Sequence, residues 1–183
     1  MSKLLMNKSD TVAIAIDYQE KLVPAMKDSR VLESTTAKLI EGLRVLDIPV
    51  LVTQQYTKGL GETTDTIARA LGDFTPIEKN TFSALKNDEF LKALQDTGAK
   101  SVIVFGIEAH ICVQKTAIEL IESGYNVFVA TDCCSSRKKH DKKVAIERLA
   151  AAGAVITTYE SVLFELLEGS KSEGFKEISK IIK

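Results

Sequence analysis

Ser101-Val-Ile-Val-Phe105-Gly106-Ile-Glu-Ala-His-Ile-Cys112 joins an unbroken apolar run to a helical pattern that continues to about residue 123. A run without polar alternation is what a strand covered on both faces shows, because neither face meets water. The helix after it places Ala117, Ile118, Leu120 and Ile121 on its packing side and turns Glu119 and Glu122 outward. Strand, glycine-containing turn and amphipathic helix in that order form part of a βαβ unit, whose second strand must run parallel to the first.

Outward from this segment the pattern repeats. Further β-branched runs occur at Thr11–Ile16, Pro49–Thr53, Thr75–Glu78, Asn126–Ala130 and Ala154–Thr157. Helical periodicity falls at 30–46, 87–96 and 140–152, with a helical tail from 160 onward. Gly98, Gly124 and Gly153 each stand shortly before a strand, where a helix ends in a left-handed cap. The expectation is a three-layer α/β/α, Rossmann-like fold: a six-stranded, mostly parallel sheet in the order 3-2-1-4-5-6, built by residues 1–183 as one domain. Residues 54–74, polar and glycine-containing, read as an unusually long connection of the kind that carries function.

Composition narrows the function classes. Twenty-four Lys and Arg against 25 Asp and Glu leave a net charge of -1, so there is no basic footprint for nucleic acid or anionic lipid. Three cysteines, two of them adjacent at Cys133 and Cys134, make no disulfide framework, and a reducing, cytoplasmic setting fits. The longest apolar runs, such as Val12–Ile16 and Leu149–Ala152, are far shorter than the ~20 residues that cross a bilayer.

In an open parallel sheet ligands bind beyond the carboxyl ends of the strands, so the first polar residues after each run are the ones to inspect. They are Asp17, Lys79, the Gly106–Cys112 turn and Thr131-Asp132-Cys133-Cys134. Singly each has an ordinary reading: a strand-terminal Asp caps a turn, a Lys is solvated, a lone Cys packs as a small hydrophobe. Together, a carboxylate, an ammonium and a thiol at the start of a helix supply what a cysteine hydrolase needs. The helix dipole and Lys79 would favour the thiolate, and Asp17 would carry the proton.

The segments Ala15-Ile-Asp17-Tyr-Gln19, Glu78-Lys79-Asn-Thr-Phe-Ser83, Val104-Phe-Gly106-Ile-Glu-Ala-His-Ile-Cys112-Val-Gln-Lys-Thr-Ala117 and Ala130-Thr-Asp132-Cys-Cys-Ser-Ser136 together resemble the isochorismatase-like cysteine hydrolases. Gly106–Val113, with the later Glu160-Ser-Val-Leu-Phe164, is most similar to the isochorismatase-domain-containing subgroup. The resemblance implies a catalytic Asp17/Lys79/Cys112 triad, a cis peptide between Ile107 and Glu108, and an oxyanion hole made by the backbone amides of Glu108 and Cys112. It also implies a homo-oligomer acting on a small molecule. Isochorismatases that cleave a vinyl ether lack the Cys, so Cys112 directs the expectation to acyl transfer on a small amide or related C–N substrate. The metal-binding Asp and His cluster of nicotinamidases has no counterpart, since the two histidines are His110 and His140, and neither a metal nor another cofactor is expected.

Residues flanking the triad in sequence, Tyr18, Phe82, His110 and Ile111, are candidate substrate contacts, with Gln54, Gln55 and Tyr56 reaching in from the end of the second run. Two alternatives stay open: a scaffold or redox-sensing protein that keeps Cys112 as an oxidisable thiol, and a vinyl ether hydrolase of the isochorismatase type. A depressed thiol pKa would separate enzyme from scaffold.

Overall fold

The computed structural model describes residues 4–183. Its sheet has six strands, all parallel: β1 (Thr11–Ile16), β2 (Val50–Gln55), β3 (Ile77–Lys79), β4 (Ser101–Ile107), β5 (Asn126–Ser135) and β6 (Val155–Thr157), in the order β3-β2-β1-β4-β5-β6. The reversal of direction lies between β1 and β4, which pair in register from Thr11↔Ser101 to Ile16↔Gly106. Every residue of both strands is buried, which accounts for their uninterrupted apolar reading.

Among the described residues six α-helices fill the connections and two follow β6: α1 (Ser29–Val45), α2 (Thr57–Leu60), α3 (Asp65–Leu71), α4 (Asp88–Asp96), α5 (Gln114–Glu122) and α6 (Lys139–Ala151), then α7 (Tyr159–Leu166) and α8 (Phe175–Ile181). Right-handed crossovers on either side of the reversal place their helices on opposite faces. Thus α1 packs with α3, α7 and α8, while α5 and α6 pack together. The cap glycines behave as the sequence implies, with φ of +65° at Gly98, +91° at Gly124 and +102° at Gly153.

Three expectations need correction. The stretch 54–74 is not an open loop. It folds into α2 and α3 and is pinned to the first connection by a Gln19–Thr63 bridge, and its sequence hid this because both helices are too short to establish a period. The fifth strand runs five residues beyond Ala130, through an irregularity: from Val104↔Val129 to Gly106↔Cys134, β4 advances two residues and β5 five. That detour admits Asp132 and still returns the chain to pair Ile107 with Ser135. Finally, the helix expected at 110–123 opens as a π-helical turn, Ala109–Val113, before α5.

Gly106 shows how tightly the central strands meet. Its φ is +144°, and a Cβ there would lie 2.3 Å from the Ile16 carbonyl oxygen, so only glycine lets β4 end against β1.

Candidate active site

The carboxyl ends of β1, β2 and β3 bring four polar side chains into one buried cluster. Asp17 follows β1 in a left-handed conformation, φ +57°, uncommon for a residue with a Cβ. Its amide donates to the Thr53 carbonyl at 3.2 Å. Lys79 closes β3, two strands away, and its side chain crosses the gap: Nζ lies 2.7 Å from Asp17 Oδ2, with both side chains 0% exposed.

Lys79 also donates to Gln55 Oε1 at 2.8 Å and to the Thr81 carbonyl at 3.3 Å. Its three N–H donors thus each find an acceptor. The other oxygen of Asp17, Oδ1, accepts from Thr53 Oγ1 at 2.7 Å. Burying two charges costs several kcal/mol per ion unless such bonds are complete, so this network is what allows an ion pair at the bottom of a strand end.

Strand alternation selects its members. Thr53 and Gln55 are two residues apart on β2 and share a face, and Gln55 is the register partner of Lys79. Gln54 points the other way and is occupied there: Nε2 donates to Glu62 Oε2 at 3.1 Å and Thr63 Oγ1 at 3.0 Å, and Oε1 accepts from Thr57. Of the glutamines expected to reach the site, Gln55 meets Lys79, and the expectation for Gln54 is corrected. Thr53 was missed altogether, although its parity with Gln55 was a usable signal.

Cys112 lies in the π-helical turn and is 6% exposed. The charges acting on its thiol are those of Asp17 and Lys79. Burial pushes the thiol up from an ordinary 9.0 to about 12; the Asp17 charge adds to this and Lys79 opposes it. The depressed thiol expected from the helix start and Lys79 is not what the resting site holds, because desolvation outweighs the ammonium.

In the turn itself, the peptide between Ile107 and Glu108 is cis. The Glu108 carbonyl accepts the amides of Ile111 at 3.0 Å and Val113 at 3.3 Å, passing over Cys112 between them. A π-turn widens the helix by one residue and is frequent at functional sites.

The remaining candidates separate. Tyr18 is corrected to a core residue: it is 2% exposed, packs on Phe105, and donates its hydroxyl to the Cys133 carbonyl. Phe82 stands in the loop that caps Lys79 and is 55% exposed. His110 and Ile111 are half-buried, and His110 Nδ1 is 2.9 Å from Ser136 Oγ. A concavity of about 370 Å³ lies farther along the rim between Lys27, Ser136, Lys139 and Lys142, and neither Asp17, Lys79 nor Cys112 lines it. Among the described residues no three His, Cys, Asp or Glu side chains form a metal-binding group, and no helix is long and apolar enough to cross a membrane.

The buried thiols set an alkaline limit. Burial also raises Cys133 and Tyr18, and Cys134 to about 12. The folded chain keeps these protons where the unfolded chain has lost them, so the stability they contribute is complete below pH about 9 and is lost as pH rises toward about 12. Thermal melts should therefore fall steadily from pH about 9 upward, and iodoacetamide modification of Cys112 should keep accelerating through that range. A plateau in the alkylation rate near neutral pH would contradict the protonated resting thiol.

A parallel sheet reversed between β1 and β4, with reactive groups at that point, is the architecture of the open α/β enzymes. The chain belongs to the isochorismatase family: residues 11–161 match the Isochorismatase domain. It is 38% identical to Isochorismatase domain-containing protein 1 of Danio rerio over 97% of its own length, and spans 62% of that relative. It is 34% identical to Isochorismatase domain-containing protein 2 of Xenopus laevis, covering 97% of this chain and 85% of the relative. A solved structure described as MAR1 ribonuclease from Caenorhabditis elegans superposes with a TM-score of 0.91 at 37% identity, over 97% of this chain and 92% of that one. The fold is thus that of the isochorismatase family.

Proposed function

We propose that the chain is a cysteine-dependent hydrolase of a small amide or related C–N compound, working through a thioester on Cys112. The observation that carries this reading is the fully buried Asp17–Lys79 pair with the Cys112 thiol against it: a structure keeps two desolvated charges beside a sulfur at real cost, and acyl transfer uses all three.

In the first step the Cys112 sulfur bonds to the carbonyl carbon as its proton passes to Asp17, and the carbonyl π pair moves onto oxygen, held by the Glu108 and Cys112 amides. Collapse breaks the C–N bond, with Asp17 returning the proton to the departing amine. Water then attacks the thioester and gives Asp17 a proton; collapse expels the sulfur, which regains that proton. Lys79 stays charged throughout and fixes the carboxylate. A thiol at about 12 suits this sequence, since the proton leaves only when substrate is in place. The active form is taken to be a homo-oligomer, as the resemblance implies, in the cytoplasmic setting that the cysteine usage fits, with Phe82, His110 and Ile111 nearest the substrate.

A redox-sensing scaffold is the second reading: sensor thiols are acidic and accessible, Cys112 is 6% exposed with its pKa raised, and because that rise also removes the depressed thiol expected of the enzyme, turnover separates the two readings. The test is a panel of small amides, ureas and carbamoyl compounds with mass spectrometry of the quenched protein. One or more members should be hydrolysed and leave an acyl mass on the peptide containing Cys112. An RNA oligonucleotide belongs in the panel because the C. elegans protein is described as a ribonuclease; cleavage of RNA with no amide turned over would overturn the proposal.

A further inference from the structure

The turn that carries the oxyanion amides is held by the residues that end β5, and His110 also lies 3.9 Å from Asp141 of α6. Ile107 pairs with Ser135 across the sheet, the Glu108 carboxylate is bound by Arg137, and His110 by Ser136. Three consecutive residues at the end of β5 thus hold three residues of the turn, an arrangement that exists only because the β5 irregularity returns the chain to β4.

The Arg137 contact carries charge. The Glu108 side chain is 9% exposed. The Arg137 backbone amide donates to its Oε2 at 3.0 Å, and Arg137 Nε lies 3.1 Å from both carboxylate oxygens. Uncompensated, this carboxylate would oppose negative charge developing at the amide of the same residue, within a low-dielectric site. The guanidinium itself is mostly in water, the Arg137 side chain being 62% exposed, so it contributes little to the core.

Resting on the hydrolase reading above, we infer that Arg137 is a positioning residue of the acyl-transfer step: it neutralises the Glu108 carboxylate and holds the Glu108 amide toward the developing oxyanion. The role separates two reactions of one thiol. Acylation by p-nitrophenyl acetate forms an S–C bond, places charge on the carbonyl oxygen and expels p-nitrophenolate. Alkylation by iodoacetamide forms an S–C bond and expels iodide, with no oxyanion.

In Arg137→Gln, acylation of Cys112 by p-nitrophenyl acetate should slow roughly 10- to 100-fold, while iodoacetamide alkylation stays within about twofold. Arg137→Lys should regain part of the acylation rate, and Glu108→Gln/Arg137→Gln should exceed Arg137→Gln alone, since the opposing charge is gone. Equal loss in both reactions marks general disruption of the turn and overturns the inference, as does full acylation in Arg137→Gln. If p-nitrophenyl acetate fails to acylate Cys112 in the natural protein, the hydrolase reading itself falls; if it acylates the natural protein and Arg137→Gln alike, only this inference does.

Discussion

Cys112→Ala is expected to lose turnover of any amide found in the panel, by roughly 10⁴-fold or more, as when the nucleophile of a covalent hydrolase is removed. Loss is that large because no other group replaces sulfur at this position: Asp17 and Lys79 are bound to each other, and Cys133 and Cys134 are buried in β5 with raised pKa values. The acyl adduct should vanish with the activity. Folding should be retained, since one small side chain at 6% exposure is shortened and such truncations cost about 1–2 kcal/mol. The variant should also be less sensitive to alkali than the natural protein, because one of the thiols held protonated is gone. Turnover at the natural rate in folded Cys112→Ala would remove sulfur from the mechanism.

Lys79→Met should damage both chemistry and stability. Among the described residues the ammonium is the sole cation paired with the Asp17 carboxylate, and both side chains are fully buried. Removing one partner strands the other, at about 3–5 kcal/mol. For a chain of this size that lowers the melting temperature by roughly 6–20 °C. Asp17→Asn/Lys79→Met, with neither charge, should recover much of the stability and none of the acylation. The pair of variants therefore separates folding from function: recovery of both, or of neither, would contradict the role given to the ion pair. Thr53 and Gln55 keep their places in the double variant and can still bond to an amide at position 17, which is why recovery is expected.

The six strands, their order and the rim on which chemistry is to be sought were legible in the chain itself. A parallel strand covered on both faces must be apolar throughout, so β1 and β4 announce themselves, and the polar residue that ends each one marks the site edge. Helix ends were legible for a similar reason, as at Gly98, Gly124 and Gly153, where a left-handed cap favours glycine. Asp17, Lys79 and Cys112 could be selected in this way because each terminates or follows a run.

What stayed hidden depends on distance in sequence and on burial. Nothing local says that Gln55 rather than Gln54 meets Lys79: one residue of β2 register decides it, and register is set by pairing with β3. Tyr18 lies beside Asp17 in the chain, yet its ring belongs to the core because the left-handed turn at Asp17 separates the two side chains. The thiol of Cys112 reads as activated when only the nearby cation is counted, and its surroundings reverse that sign, since desolvation is a property of the whole packed site. The grip of Ser135, Ser136 and Arg137 on the Glu108 turn required the β5 detour, which no periodicity encodes. Local pattern determined the elements and their polar ends; packing alone decided which of those ends face one another and in which protonation state.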